Sequence, residues 1–417
     1  MPQLAETKDL ISVIITVLNG GQWIDSCMES IIKQTAVQSQ QNQQLQATTH
    51  KLHSDEAQNP FMSTMTNSPN TTITTLACAA TTTTPNNIAT SNLHDLAPII
   101  EVCVFDDCSN DNTLKILNKW RAHLREHYNI NMHIVENKAG KSKGVGYGRN
   151  RAIEASEGNY LCFQDIDDEM LPARICQQYH LAKQYKNAII GSKFIRTPSN
   201  STCRFTRWAN DLHSDKLILQ IYTSNGPTII MPTWLCHRQV YTNIAGGFSE
   251  EGKGCPEDLI FFYQHLDNKG LVKRAEECLL KYRYHSGATT FSVSAKTIWH
   301  IRLKHLLVNV LKKPPWCKGF SIWNAGKQGR KFFRDLPEEQ KKNVQTFCDV
   351  DKNKIQKLYK YYDGALRQTT FSIPIVHFSK VQPPVVICMK LDLTNGDFEM
   401  NLQSLQFIEG QDYILFT

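Results

Sequence analysis

Short apolar runs rich in β-branched residues recur along the chain, and most are followed by a polar loop and then an amphipathic stretch. Ile11 to Leu18 is the first run, and an amphipathic stretch from Gln22 to about Lys33 follows it. A continuous apolar run of this length is typical of a parallel strand that is covered on both faces. The alternation therefore predicts an α/β fold with a mostly parallel sheet and helices on both faces.

The alternation resumes after residue 96. Further strands are expected at Ile99 to Phe105, Met132 to Val135, Tyr160 to Phe163, Ala188 to Phe194 and Thr228 to Met231, and helices at Thr113 to His127, Arg149 to Ser156 and Leu259 to Leu266. Loops that follow parallel strands meet at one edge of the sheet, so we expect the functional side chains at that edge.

Composition divides the chain into three regions. Residues 1–34 and 97–290 carry the alternation and are assigned to one catalytic α/β domain. Residues 35–96 are rich in Gln, Asn, Thr and Ser, and we interpret them as a disordered low-complexity insert because they offer little apolar surface to bury. Residues 291–417 are expected to form a helical and β extension, with many Lys, Arg and aromatic residues.

Composition also bears on the compartment. The N-terminal residues lack the pattern of a signal peptide, and we see no apolar run long enough for a membrane span. The thirteen cysteines form no C-x-x-C pair, which favours reduced thiols over a disulfide framework or a zinc site. We therefore expect a soluble cytoplasmic protein with no membrane partner, and its net charge of +7 favours an anionic partner.

Two pairs of carboxylates follow expected strands. Asp106 and Asp107 follow the expected strand from Ile99 to Phe105. A carboxylate in this position can accept hydrogen bonds from a base or ribose, or can cap the next helix. Asp165 and Asp167 follow the strand at Tyr160 and are separated by one residue, so both can face one cation. Oxygen ligands suit Mg²⁺ or Mn²⁺, and a divalent cation is the expected cofactor.

Two later segments offer further candidates. Glu257 and Asp258 precede a helical run, where they are either simple helix caps or a general base that takes a proton from an acceptor hydroxyl. His285 ends an expected strand, where an imidazole can be structural or can complete a metal site.

The glycine-rich segment from Asn137 to Arg151 lies between a strand and a helix and resembles a phosphate-binding loop. A P-loop requires glycine where Val135 stands, so a kinase-type loop is rejected. Gly144, Gly146 and Gly148 are spaced by two, which does not fit the G-x-G-x-x-G fingerprint of dinucleotide-binding dehydrogenases.

Five segments in chain order resemble the successive motifs of family 2 glycosyltransferases of the GT-A fold: SVIITVLNG, VFDDCSNDNT, GVGYGRNRAI, FQDIDD and PEDLIFF. The resemblance implies transfer of a sugar from a UDP-sugar. It implies donor contacts for Thr16, Asn19, Asp106, Asp107, Arg149 and Asp165, metal contacts for Asp165, Asp167 and His285, and Asp258 as base with Glu257 as its rival. Cys108 departs from the family, which usually has glycine there.

The C-terminal segments WNAGKQGRKFFRDL, FCDVDKNKI, IPIVHFSK and PPVVICMKLDLT are similar to queuosine-tRNA galactosyltransferases. This similarity implies UDP-galactose as donor, queuosine at the wobble position of tyrosine tRNA as acceptor, and a tRNA-recognition role for the extension. Its Lys and Arg would face phosphates and a Trp or Tyr would stack on a base, unless these aromatic residues are buried. The alternatives are an N-acetylglucosaminyltransferase acting on a glycan and a non-catalytic nucleotide-sugar or RNA-binding protein.

Overall fold

The computed structural model describes residues 9–42, 97–355 and 357–417. Fourteen strands are found in these residues, at Leu10–Val17 (β1), Ile99–Asp106 (β2), Asn131–Glu136 (β3), Tyr160–Asp165 (β4), Glu169–Met170 (β5), Ala188–Thr197 (β6), Leu235–His237 (β7), Leu271–Arg283 (β8), Phe320–Trp323 (β9), Val344–Asp349 (β10), Leu358–Asp363 (β11), Gln368–His377 (β12), Val385–Ile387 (β13) and Tyr413–Leu415 (β14).

The α-helices of the described residues alternate with these strands. They span Ile24–Ile32 (α1), Thr113–Tyr128 (α2), Val145–Glu154 (α3), Arg174–Gln184 (α4), Cys203–Asp211 (α5), Arg238–Thr242 (α6), Glu257–Asp267 (α7), Ala295–Leu306 (α8), Lys327–Asp335 (α9), Glu338–Lys341 (α10) and Asp397–Ser404 (α11), and residues 35–42 are also helical. None of the described helices is long and apolar enough to cross a membrane.

The first eight strands form one sheet in the order β3-β2-β1-β4-β7-β6-β8-β5. Strands β3, β2, β1 and β4 are parallel, as are β6 and β8, while β7 runs antiparallel to β4 and β6. The short strand β5 is antiparallel to β8. The parallel group places the ends of β1, β2 and β4 side by side, which is the edge where functional side chains were expected.

Alternate side chains of the central strands enter two separate cores, as the two-residue period of a strand requires. In β1, Ile14 packs with helices α3 and α7, whereas Val13 and Ile15 pack with α1, α2 and α4 on the opposite face. The prediction of an α/β fold with helices on both faces of the sheet is therefore confirmed. These apolar strands are continuous because both of their faces are buried.

Strands β9 to β14 form a second sheet of six strands in the order β11-β12-β10-β9-β13-β14. All neighbours in it are parallel except β11 and β12. The predicted helical and β extension is thus a second α/β layer with its own sheet. Its core is continuous with the first, since Ile322 and Phe347 of the second sheet belong to the same buried cluster as Ile14 and Phe163 of the first.

Two local expectations differ from the structure. The insert was predicted to begin at residue 35, but residues 35–42 are helical, and Ala36 and Val37 are fully buried because they pack on the first sheet's core. Residues 43–96 lie outside the described residues, so the rest of that interpretation stays a prediction. The strand expected at Thr228 to Met231 is absent, since these residues lead into a 3₁₀ turn, and the strand forms at β7.

Candidate active site

Three carboxylates gather where β4 ends. Asp165, Asp167 and Asp168 each direct a carboxylate oxygen into one group, with all three atoms within 4.8 Å of one another. A tight turn creates this spacing, because the Asp168 N–H donates to the Asp165 carbonyl at 3.1 Å. Buried Gln164 stabilises the turn by donating its side-chain amide to the carbonyls of Asp165 and Asp168. Sequence analysis identified Asp165 and Asp167, but it missed Asp168 as part of the cluster.

Arg283, at the end of β8, supports the cluster from the other side. Its backbone N–H donates to Asp168 Oδ1 at 2.8 Å, and its Nε donates to the Asp167 carbonyl at 2.8 Å. Its guanidinium also pairs with Glu169 and lies 4.6 Å from the centre of the Trp23 ring. Arg283 therefore holds the backbone of the turn and leaves the carboxylates of Asp165 and Asp167 to other partners.

His285 was expected at the metal site, and the structure brings it there. Its Nε2 lies 2.7 Å from Asp167 Oδ2, and its ring is 5.5 Å from that of Trp23. An imidazole in this position orients the Asp167 carboxylate. Direct ligation by His285 stays a prediction.

Electrostatic repulsion is concentrated in this turn. Burial raises the pKa of Asp165 to about 6. The positive charge of Arg149 opposes this rise, and the negative charges of Asp167 and Glu257 add to it. The pKa of Asp168 is raised well above its ordinary value by burial and by the neighbouring Asp167 and Asp165. The Asp168 side chain is inaccessible to solvent, and its Oδ2 has no hydrogen-bond partner among the described residues. A positive charge placed among these oxygens would relieve the repulsion.

Arg149 connects the carboxylate cluster to the candidate base. It lies in α3, is buried, and its guanidinium donates to Glu257 Oε1 and lies 3.4 Å from Asp165 Oδ1. Burial acts to lower the pKa of Arg149, but the charges of Glu257, Asp165 and Asp258 outweigh it and raise that pKa. Arg149 therefore stays charged and is the cation that balances these carboxylates.

Asp258 and Glu257 begin α7, and their environments differ. Glu257 is the ion-pair partner of Arg149, whereas Asp258 Oδ1 accepts the N–H of Leu259 at 2.7 Å. Burial raises the pKa of Asp258 to about 6, with the charge of Glu257 adding to the rise and Arg149 opposing it. A carboxylate with a pKa near neutrality suits proton transfer better than one held in an ion pair.

A close approach of α3 to the sheet places Arg149 at this depth. A Cβ on Gly148 would lie 2.8 Å from Thr16 Cγ2 and 2.8 Å from the Phe105 ring, so only glycine lets the helix pack this closely. Thr16 in turn pairs with Asp165 across β1 and β4. Gly148 therefore serves the close packing of α3 on the sheet.

Asp106 and Asp107 end β2, as expected, and take different roles in the structure. Both oxygens of Asp107 accept hydrogen bonds from the segment of residues 137–144, including the N–H groups of Lys143 and Gly144 at 2.8–3.0 Å. Burial raises the pKa of Asp106, opposed by hydrogen bonds from Ser109. Asp107 therefore anchors the glycine-rich segment beside the site, and its contact with a nucleotide stays a prediction.

Asn19 follows β1 with a left-handed backbone at φ 53°. Its N–H donates to Ser109 Oγ and its side-chain oxygen accepts from the Asn110 N–H, at 2.7 and 2.8 Å. The loops after β1 and β2 are thereby joined. The structure brings the predicted donor-binding residues of these two loops to the same edge of the sheet as the carboxylate cluster.

The aromatic residues of the C-terminal region are mostly buried. The side chains of Trp299, Trp316, Trp323, Phe332 and Phe333 are all 7% exposed or less. The expectation that such a Trp stacks on an RNA base is therefore wrong for these residues, because they form the core around the second sheet. Tyr362, which is 60% exposed, is an aromatic residue of this region that remains available.

Comparison with known proteins finds a family match for part of the chain. Residues 88–244 match the model of Glycosyl transferase family 2. The poly(ribitol-phosphate) β-N-acetylglucosaminyltransferase TarS of Staphylococcus aureus is 41% identical over 68 residues, which are 16% of this chain and 11% of TarS. The β-1,3-glucosyltransferase WfaP of Escherichia coli, which acts from UDP-Glc, is 30% identical over 104 residues, or 24% of this chain and 38% of WfaP.

Among solved structures, that of S. aureus TarS residues 1–349 in complex with UDP-GlcNAc aligns with a TM-score of 0.46 and 17% sequence identity. The alignment covers 72% of this chain and 67% of the TarS chain. The chain spans well under half the length of the curated relatives named above. The family match includes β2 to β4, the Asp106–Asp107 pair and the carboxylate cluster, which are the elements that build the site. The match to Glycosyl transferase family 2 thus covers residues 88–244, which are less than half of this chain.

Proposed function

We propose that this chain transfers a sugar from a UDP-sugar to an acceptor hydroxyl with the help of a divalent cation. The observation that carries the proposal is the group of three carboxylates at the end of β4, which lies beside the Arg149 and Asp258 side chains. The family match of residues 88–244 supports the reaction class.

The donor atoms of the cluster fit a hard cation. Asp165, Asp167 and Asp168 offer only oxygen ligands, which Mg²⁺ and Mn²⁺ prefer. The buried, unpartnered Oδ2 of Asp168 and the raised pKa of Asp165 are both costs that a bound cation would offset. When bound, a divalent cation would neutralise the charge of the diphosphate leaving group.

The side chains around the cluster divide the remaining work. Arg149 is fixed by two carboxylates and directs its positive charge toward the same space, where it would stabilise the donor's negative charge. Asp258 would take the proton of the acceptor hydroxyl as that oxygen attacks the anomeric carbon. A single base without a second nucleophile implies one displacement and inversion of the anomeric configuration.

For the substrates, we propose UDP-galactose as donor and queuosine of tyrosine tRNA as acceptor, in the cytoplasm. Support comes from the similarity of the C-terminal segments to queuosine-tRNA galactosyltransferases and from the excess of Lys and Arg over Asp and Glu, 46 against 39. Exposed side chains of the extension would contact the tRNA, since its larger aromatic residues are buried.

A second candidate is transfer of N-acetylglucosamine to a glycan. This candidate is favoured by the similarity to TarS, which is named as a β-N-acetylglucosaminyltransferase and is 41% identical over 68 residues. A non-catalytic binding protein is less well supported, because the carboxylates of the cluster and Asp258 are all in place.

Labelled sugar transfer distinguishes these candidates. Purified protein would be incubated with Mn²⁺ or Mg²⁺ and either UDP-galactose or UDP-N-acetylglucosamine, with tyrosine tRNA that contains queuosine or guanosine at the wobble position. We expect galactose incorporation only into the queuosine-containing tRNA. Transfer of N-acetylglucosamine to a glycan, with none to tRNA, would reject the proposed substrates and leave the glycosyltransferase assignment standing.

A further inference from the structure

The second sheet has the strand order of a nucleotide-binding α/β fold. The chain runs from β9 through β10 to β12 on one side and then returns to β13 and β14 on the other side of β9. These five strands are parallel. If they are numbered 1 to 5 in chain order, they lie side by side in the sheet in the order 3-2-1-4-5. In open sheets of this kind, ligands bind at the carboxyl ends of the strands where the order reverses, which here is beside the end of β9.

The loop at that position has the glycine spacing of a diphosphate-binding turn. Asn324, Ala325 and Gly326 connect β9 to α9, and Gly326 and Gly329 are separated by two residues. A Cβ on Gly329 would lie 2.0 Å from the Asn324 carbonyl oxygen, so this glycine lets α9 pack directly on β9. The pair therefore corresponds to the second and third glycines of the fingerprint G-x-G-x-x-G.

Asn324 stands where the fingerprint has its first glycine, and it takes the conformation that the position requires. Its φ is 108°, in the region that favours glycine. Its N–H donates to the Cys348 carbonyl of β10 and its Nδ2 to the Cys388 carbonyl after β13, both at 2.9 Å. The asparagine thus joins the ends of the two strands that flank β9, and its Oδ1 accepts the Gly326 N–H at 2.8 Å.

An acidic residue and a lysine complete the arrangement. Asp349 ends β10, 20 residues after Gly329, which is the place of the ribose-binding carboxylate in dinucleotide-binding folds. It accepts the Ala325 N–H at 2.9 Å and pairs with Lys354 Nζ at 3.1 Å. That Nζ lies 3.8 Å from where a Cβ on Gly326 would be, so a cation faces the glycine loop.

The start of α9 is open to an anion. Lys327 and Gln328 are exposed, no side chain among the described residues caps the helix, and its first turn contains no acidic residue. The backbone N–H groups of such a turn bind phosphate oxygens well when glycine allows close approach. The helix terminus thus acts together with the strand reversal, the glycine pair, Asp349 and Lys354.

We propose that this second sheet binds a nucleoside diphosphate or dinucleotide, independently of the proposed sugar transfer. The diphosphate lies against Gly326 and the start of α9 beside Lys354, and the ribose lies against Asp349. The site is separate from the carboxylate cluster, which follows β4 in the first sheet. No covalent chemistry is assigned to it.

The test is equilibrium binding to the full chain with the first site saturated by UDP and Mn²⁺. Labelled NAD⁺, NADP⁺ and ADP would be added in turn, and we expect one of them to bind at one site per chain. Lys354→Ala should weaken this binding about tenfold, as expected for loss of a charge-assisted contact. Lys352→Ala, an exposed neighbour, should leave it unchanged.

Gly326→Val provides a second variant, since its side chain would meet Asn324 Oδ1 and occupy the space of the diphosphate. It should abolish binding, with circular dichroism and thermal unfolding used to verify that the chain remains folded. Absence of binding by all three nucleotides at millimolar concentration would overturn the proposal. Binding that UDP displaces, or that Lys354→Ala and Lys352→Ala affect equally, would also overturn it.

Discussion

Replacing Asp165 by asparagine should stabilise the cation-free protein in alkaline solution. Burial and neighbouring charges raise the pKa of Asp165 from 3.8 to about 6. A carboxylate with a raised pKa in the folded state destabilises that state once it ionises, so the cost is absent below about pH 4 and complete above about pH 6. At 1.36 kcal/mol for each pH unit, the cost reaches about 3 kcal/mol at pH 8 and about half of that at pH 5.

Urea denaturation of the wild type and of Asp165→Asn, in the presence of a chelator, measures this cost directly. The variant should be more stable by up to about 3 kcal/mol at pH 8, and its advantage should shrink by about half at pH 5. Asp211→Asn is the matched control, because Asp211 is exposed at the end of α5 and should show little change at either pH.

Addition of Mn²⁺ should remove most of the variant's advantage. A cation at about one hundred times its dissociation constant stabilises the folded wild type by about 2.7 kcal/mol, and a variant with one carboxylate fewer gains less. A variant that is less stable than the wild type in chelator at pH 8 would refute this reasoning. That result would mean that the contact with Arg149 at 3.4 Å outweighs the repulsion within the cluster.

Three further outcomes follow from the site and its packing. Asp258→Asn should lower kcat by about 10²–10⁴-fold, whereas Glu257→Gln should act mainly on donor binding. Equal effects of the two variants on kcat would contradict the assignment of Asp258 as the base. The value of kcat/KM should decrease as the pH is lowered below about 6, because Asp258, with its pKa of about 6, must be deprotonated to act as the base. A kcat/KM that stays constant down to about pH 4 would exclude Asp258 as the base. Gly148→Val should lower the free energy of unfolding by about 1–3 kcal/mol, because its side chain would clash with Thr16. Gly364→Ala is the control for the same unfolding measurement, since a Cβ at that position meets open space.

The first sheet was predictable because its strands are buried on both faces. Runs such as Ile11 to Leu18 stay apolar throughout, and their boundaries agree with β1 to within one residue. The segment at Thr228 to Met231 is also apolar, but it packs as irregular structure against the core. Periodicity alone does not distinguish a short buried strand from a buried turn, and tertiary packing decided this case.

At the site, sequence spacing predicted Asp165 and Asp167 but not Asp168. A strand places alternate side chains on one face, whereas here the chain turns after Asp165 and brings Asp168 back to the cluster. The support from Arg283 and Trp23 was also missed, because both residues come from distant parts of the chain. Only the folded structure brings such residues together.

The second sheet was recognised only as a helical and β region. Its strands β9, β13 and β14 have only three or four residues, and Asn324 stands where a glycine would have marked the loop after β9. The signal available was Gly326 and Gly329 after an apolar run, with Asp349 at the end of the next one. Asn324 nevertheless adopts a φ of 108°, in the positive range that glycine favours.

The most direct test of the central claim is turnover by Asp167→Asn. UDP release from UDP-galactose would be followed with queuosine-containing tyrosine tRNA and Mn²⁺, for the wild type, for Asp167→Asn and for Asp211→Asn as the exposed control. The carboxylate cluster predicts cation-dependent release by the wild type and the control, and a loss of about a hundredfold or more in Asp167→Asn with its fold intact. Full activity of Asp167→Asn would contradict the claim that this cluster assists the transfer.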